Sequence, residues 1–401
     1  MTVRTAFCTA AAIVCAAVLS GCVSFVGAKP LGERVRRDAV FFPLGTIDAA
    51  LVEKFAAYDT VLLGESHYVR EHQEFLVSLL ESTADRGFTL LLAEGMHAYG
   101  WIVEDYVLGL SDELPRPVRF FENELIEGIR RLNRELPPDR RIGVSYFDMN
   151  HWRDVFIDSL RRAETALDRG PEPLFAEFLS FPPEEWVGGR YSLALETLAS
   201  ELESRERELS DGSVWGERWY ERIRELVEVE RRSLPLRNRM DDREREAIII
   251  ELCLRRIAEH QGRTYINTGM YHAQKERFMG TRVTRLGEAL AGSPEAPAGK
   301  VFSVAFIALT GDRKHNFADR GSYRADIPGT SRENDLVRIL AMEAGNRMAF
   351  LPLEDPLFAS SRIRVTYGMN DTHVLPPARQ FDAYVTYPRV TLPPSMSEFA
   401  Q

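Results

Sequence analysis

The stretch Asp59-Thr-Val-Leu-Leu-Gly-Glu-Ser-His67 decides the fold. Val61-Leu62-Leu63 is a short apolar run that stops at Gly64-Glu65-Ser66-His67, and it reads as a strand over 59–64. A helical stretch over 70–85 follows, with Phe75, Leu76, Leu79 and Leu80 on one face and Gly87 after its end. Phe88-Thr-Leu-Leu-Leu-Ala93 repeats the apolar run without alternation, which suits a sheet covered on both faces. Helical patterns at 97–108 and 121–135 lead to a third run, Ile142-Gly-Val-Ser-Tyr-Phe147. Strand and helix in this alternation predict an α/β fold, a mostly parallel central sheet flanked by helices.

Working outward, residues 150–261 show helical and highly charged patterns and no strand signal. They predict a large helical insertion, or cap, between strands three and four, and its position suggests that 150–235 roofs the ligand crevice. Thr264-Tyr-Ile-Asn-Thr268, Val301 to Leu309 and Phe381 to Thr386 read as later strands. Residues 311–333 read as a loop and 334–343 as a helix before Met348-Ala-Phe-Leu-Pro352. A short helix over 47–57 precedes the first strand, with Thr46 as its cap. This gives one domain over 41–390, a tether at 23–40 and a loose C-terminus at 391–401.

The N-terminus reads as a targeting segment. Arg4 precedes an apolar run, Phe7 to Leu19, too short for a stable membrane span, and Leu19-Ser20-Gly21-Cys22 follows. This resembles a bacterial lipoprotein signal over 1–22, cut before a Cys22 that is then acylated. The expectation is a chain anchored to a membrane of the cell envelope. Cys253 is then the other cysteine of the mature chain, so neither a disulfide framework nor a Cys-based metal site is available. The formal charge of −10 argues against a general nucleic-acid partner, because phosphate contacts need a basic surface.

Titratable residues follow four successive strands: Glu65 and His67, then Glu94, then Asp148 with His151 close behind, then His272. In a parallel sheet these ends share one edge, where ligands bind. A lone acid after a strand is usually a helix cap, but the recurrence points to a site. Gly64 reads as the hinge that turns the chain out of the sheet. Named motifs fail. His67 and His72 are five positions apart, about 140° around a helix, so they do not share a face as helical zinc ligands. Gly64-Glu-Ser-His-Tyr68 lacks the final Gly of a nucleophile elbow, which sets Ser66 aside. No Gly-rich dinucleotide fingerprint follows the first strand.

Gly64-Glu-x-His67, Glu94, Arg237-Asn238-Arg239-Met240, Gly269-x-x-His272 and Phe381-Asp-Ala-Tyr384 together resemble the superfamily of erythromycin esterase-like, ChaN-like haem-uptake and Tiki/TraB proteins. The spacing departs from the esterases by one residue between Glu65 and His67. The esterase-like branch implies hydrolysis by water without metal. His67 would be the base, oriented by Glu65 or Glu94. His272 would act on the oxyanion or leaving group. Arg237, with Asp148, His151 and Tyr271, would bind a small-molecule or peptide substrate. The Tiki-like branch implies a divalent metal on His67, Glu94 and His272. The ChaN-like branch implies haem, with Tyr68 or Tyr271 as axial ligand and no catalysis.

Overall fold

In the computed structural model, the described residues are 26–167, 173–180, 189–211, 216–277, 282–292, 298–313, 323–368 and 371–397. The signal segment and Cys22 lie outside them. The chain builds β1 (Val40–Phe42), β2 (Thr60–Glu65), β3 (Phe88–Met96) and β4 (Gly143–Asp148). Then come β5 (Arg263–Gly269) and β6 (Val301–Ala308). A hairpin of β7 (Thr310–Arg313) and β8 (Tyr323–Asp326) precedes β9 (Met348–Pro352). A second hairpin, β10 (Ile363–Gly368) and β11 (Asp371–Leu375), precedes β12 (Ala383–Tyr387). Eight strands form one sheet in the order β1-β9-β12-β6-β2-β5-β3-β4. Only β9 pairs antiparallel, with β1 and β12, so the sheet is mostly parallel.

Alternation along the strands divides two cores. Val61, Leu63, Leu91 and Ala93 face one, with the helices Ala49–Phe55, Arg70–Thr83, Gly100–Val107 and Arg116–Glu135. Leu62, Leu90 and Leu92 face the other, with the helices Ala28–Asp38, Asp242–Glu259, Leu286–Gly292 and Leu336–Ala344. The apolar runs are unbroken because both faces are covered.

The insertion runs from Arg153 to Glu259, and every element among its described residues is a helix. Its helix Glu217–Asn238 sends Ile223 and Leu226 into the first core and Val229 and Leu236 into the second. β5 then slots between β2 and β3. Chain order therefore reverses at β2, where a crevice opens at the strands' carboxyl ends.

Several sequence expectations are corrected. The segment read as a tether contains the helix Ala28–Asp38, whose Leu31 and Val35 are fully buried and whose Arg34 pairs with Asp355 at 3.1 Å. Asp48, rather than Thr46, caps the next helix by accepting from Ala50 N at 2.8 Å. The expected loop at 311–333 holds the β7–β8 hairpin and a turn of helix at Ile327–Thr330. Of the loose C-terminus, Pro394–Ser397 forms a turn of helix with Met396 buried. Gly64 is not a hinge but lies inside β2. A Cβ there would come 2.9 Å from the Ala273 Cβ, so its small size admits the 270–273 segment. The turn out of the sheet falls at Tyr68, a non-glycine residue at φ 59°. That left-handed backbone is disfavoured for a bulky side chain, and such strain gathers at functional sites.

Candidate active site

A crevice of about 370 Å³ opens where β2, β3, β4 and β5 end. Glu65, His67, Glu94, Asp148, His151 and His272 all line it. The topology thus gathers residues spread over about two hundred positions, because their strands are neighbours in the sheet and run the same way.

Each side chain is placed by a local device. The β3–β4 register slips between Ala93 and Met96, so Glu94 and Gly95 sit in a bulge that re-aims Glu94. Glu94 accepts from Thr268 Oγ1 at 2.7 Å and Gly269 N at 2.6 Å. A Cβ on Gly269 would come 2.9 Å from His67 Nε2, so glycine is what lets that imidazole rest against the end of β5. His67 Nδ1 donates to Glu65 Oε1 at 3.1 Å. His272 Nδ1 donates to Glu246 Oε2 at 2.8 Å, and its Nε2 lies 3.6 Å from Glu94 Oε1. Two imidazoles therefore face one crevice, each with its tautomer set by a carboxylate behind it.

Electrostatics differentiate the groups. For His67, burial opposes the charged form, but the Glu65 hydrogen bond and the field of Glu94 outweigh it and raise the ring to about 9. His272 is likewise opposed by burial and raised by Glu94 and Glu246. Burial favours neutral Glu94, yet His272, His67 and Arg245 hold it down at about 2. Asp148 is lowered against its burial by Arg245 and His151.

Four residues that sequence reading missed complete the site. Arg245 Nε and Nη2 reach Asp148 at 3.0 and 2.7 Å, and Nη2 reaches Glu94 at 2.8 Å. Glu246 orients His272 from the same helical turn. Their signal was the acid-base pair Arg245-Glu246, hidden in a charge-dense run. His72, fully buried, lies 3.4 Å from Glu65 Oε2, with Asn267 and Tyr387 each at 2.8 Å. Burial lowers its pKa, and Asn267 and Tyr387 engage its two ring nitrogens, so a neutral ring packs beside Glu65. Glu122, from the helix Arg116–Glu135, also lines the crevice.

Two expected substrate contacts are corrected. Arg237 lies at the end of the helix Glu217–Asn238, and its guanidinium forks onto the buried Glu230 at 2.7 and 2.5 Å. Its Nε donates to Asn150 O at 2.7 Å, so it clamps the insertion to the exit of β4. Tyr271 is 44% exposed, bonds Asp371 on the β10–β11 hairpin and does not line the crevice. The roof is also different. Pro117, Val118, Phe121, Glu122 and Leu125 cover the crevice, while among the described residues 150–235 supplies only His151 and Trp152.

The residues do not fit a metal. Both Glu94 oxygens are taken by Arg245, Thr268 and Gly269, and a cation would have to displace the Arg245 guanidinium. Among the described residues no three His, Cys, Asp or Glu side chains form a metal-holding group. Haem fits no better. Of the two tyrosines expected as axial ligands, Tyr271 is outside the crevice; Tyr68 lines it, but beside Glu65, Glu94, Glu122 and Asp148, a carboxylate-rich lining that opposes a dianionic haem.

No protein-family model matches the chain, and no curated protein matches it. Solved structures do. A Bacillus cereus protein superposes with TM-score 0.63 at 16% identity, over 92% of this chain and 98% of that one. A succinoglycan biosynthesis protein gives 0.65 at 13%, over 91% and 98%. The erythromycin esterase EreC, as a His-to-Asn mutant in its open conformation, gives 0.63 at 14%, over 88% and 98%. At these identities the likeness concerns the fold, and it meets at that level the resemblance carried by the motifs: the chain has the α/β fold of solved proteins that include an erythromycin esterase.

Proposed function

We propose that this chain is a hydrolase that cleaves an ester or amide by direct attack of water, held at the bacterial envelope through a lipid on Cys22. One observation carries the reading: His67 and His272 face a single crevice, each backed by a carboxylate at hydrogen-bond distance. His67, when neutral, takes a proton from water through Nε2, and Glu65 stabilises the imidazolium that forms. Arg245 is anchored by Glu94 and Asp148 through Nε and Nη2, and its Nη1, which has no hydrogen-bond partner among the described residues, serves a substrate oxygen. With His272 it offsets the charge that develops on the carbonyl oxygen. The aromatic and apolar roof, with Tyr99, Phe121 and Trp152, suits a substrate with a sizeable apolar face, either a small molecule or a peptide.

The test uses chain lacking residues 1–22, exhaustively chelated, against a panel of esters and amides. The proposal expects turnover that survives chelation and falls by roughly 10²–10³-fold in His272→Ala. Turnover that disappears on chelation and returns with a divalent metal would contradict direct attack by water.

A further inference from the structure

Among the described residues, Glu122 lines the crevice without an ion pair, whereas Glu65, Glu94 and Asp148 each have one. The helix Arg116–Glu135 breaks its helical backbone at this residue, φ −134° and ψ 23°, as it crosses the mouth. Its carboxyl meets the Tyr146 hydroxyl from β4. The groups that face it are Tyr146, together with Glu65 and His67 from the end of β2. Tyr146 is itself fixed: its ring fills the space that a Cβ on Gly95 would take, 2.6 Å away.

We propose that Glu122, positioned by Tyr146, is the catalytic acid that protonates the leaving group. This deepens the hydrolase reading and rests on it. A carboxylic acid must stay neutral to give a proton, and the environment meets that requirement. Burial raises Glu122 to about 7, with the phenol pulling against it. The step balances. As the water oxygen bonds the carbonyl carbon, its proton passes to His67 Nε2. The carbon–oxygen bond to the leaving alcohol then breaks, and its electron pair takes the Glu122 proton. Solvent afterwards removes a proton from the imidazolium and returns one to the carboxylate. One water is consumed, and an acid and an alcohol are released. The division of labour also frees His272 and Arg245 for the oxyanion.

The arrangement gives the pH profile a particular shape. The productive form needs neutral His67, favoured above about 9, and protonated Glu122, favoured below about 7. kcat/KM therefore rises with unit slope to about 7, is flat to about 9 and falls beyond. The lower bend belongs to Glu122 and the upper to His67.

The experiment measures kcat/KM against pH for an alkyl ester and for its p-nitrophenyl counterpart, whose leaving group needs little protonation. Glu122→Gln is expected to lose about 10²–10⁴-fold on the alkyl ester and at least about tenfold less on the p-nitrophenyl ester. Its lower bend disappears, so activity climbs up to about 9. Tyr146→Phe keeps the ring and removes only the hydroxyl, so it should fold as the parent does. It removes a hydrogen bond that favours the charged carboxylate and moves the lower bend upward. Equal losses on both esters in Glu122→Gln, or an unmoved bend in Tyr146→Phe, would overturn Glu122 as the acid while leaving the hydrolase reading intact. A parent chain that turns over neither ester overturns both.

Discussion

Arg237 and Arg245 lie eight positions apart and do different work. The motif resemblance pointed to Arg237 because an arginine before the Gly269-x-x-His272 strand carries substrate in the esterase-like pattern. The buried partner Glu230 could not be seen in the sequence, since it lies two turns back on a charge-dense helix whose inward face depends on packing. Breaking such a pair strands a charge. Arg237→Ala is expected to lower stability by about 3–5 kcal/mol. Urea denaturation checks it. Unchanged stability with a raised KM would restore Arg237 as a substrate ligand. By contrast, Glu65, His67 and Glu94 were legible because they lie at the ends of uninterrupted apolar runs, and His272 because it follows the short run Thr264 to Thr268. Glu122, Arg245 and Glu246 were not, because they sit on charged helices whose inward turn depends on packing.

At the scale of elements, uninterrupted strands such as Phe88 to Ala93 were the clearest features, since burial on both faces leaves little room for polar residues. The β10–β11 hairpin was missed, because its mixed burial and the polar residues of Asp371–Leu375 weaken the strand pattern. The helix Ala28–Asp38 was missed because Gly32 and six charged side chains dilute its apolar stripe to Leu31 and Val35. That stripe nevertheless packs on the helix Leu336–Ala344 in the second core. Leu31→Ala should therefore cost about 2–5 kcal/mol, read from the denaturation midpoint. A change below about 0.5 kcal/mol, the range of a surface substitution, would return the segment to the status of a tether.

Across the whole molecule, the crevice couples fold stability to pH. Glu94 titrates at about 2 in the fold against 4.5 ordinarily, so its contribution is complete above 4.5 and is lost as pH falls to about 2. His67 titrates at about 9 against 6.5, so its contribution is complete below 6.5 and is lost as pH rises to about 9. Glu122, raised from 4.5 to about 7, loses its contribution as pH rises between those values, so the decline begins just above 4.5. The thermal midpoint should be highest near pH 4.5 and lower at both pH 3 and pH 9.5. A midpoint that kept rising to pH 9.5 would mean these groups do not govern the molecule's stability.

In the proposed reaction the edge of the sheet at β2 activates water through His67. Its most direct measurement is kcat/KM for ester hydrolysis by the chelated chain lacking residues 1–22, beside His67→Ala, at pH 8. The account predicts measurable turnover in the parent and a loss of about 10²–10⁴-fold in the variant. Equal turnover in the two proteins would contradict it.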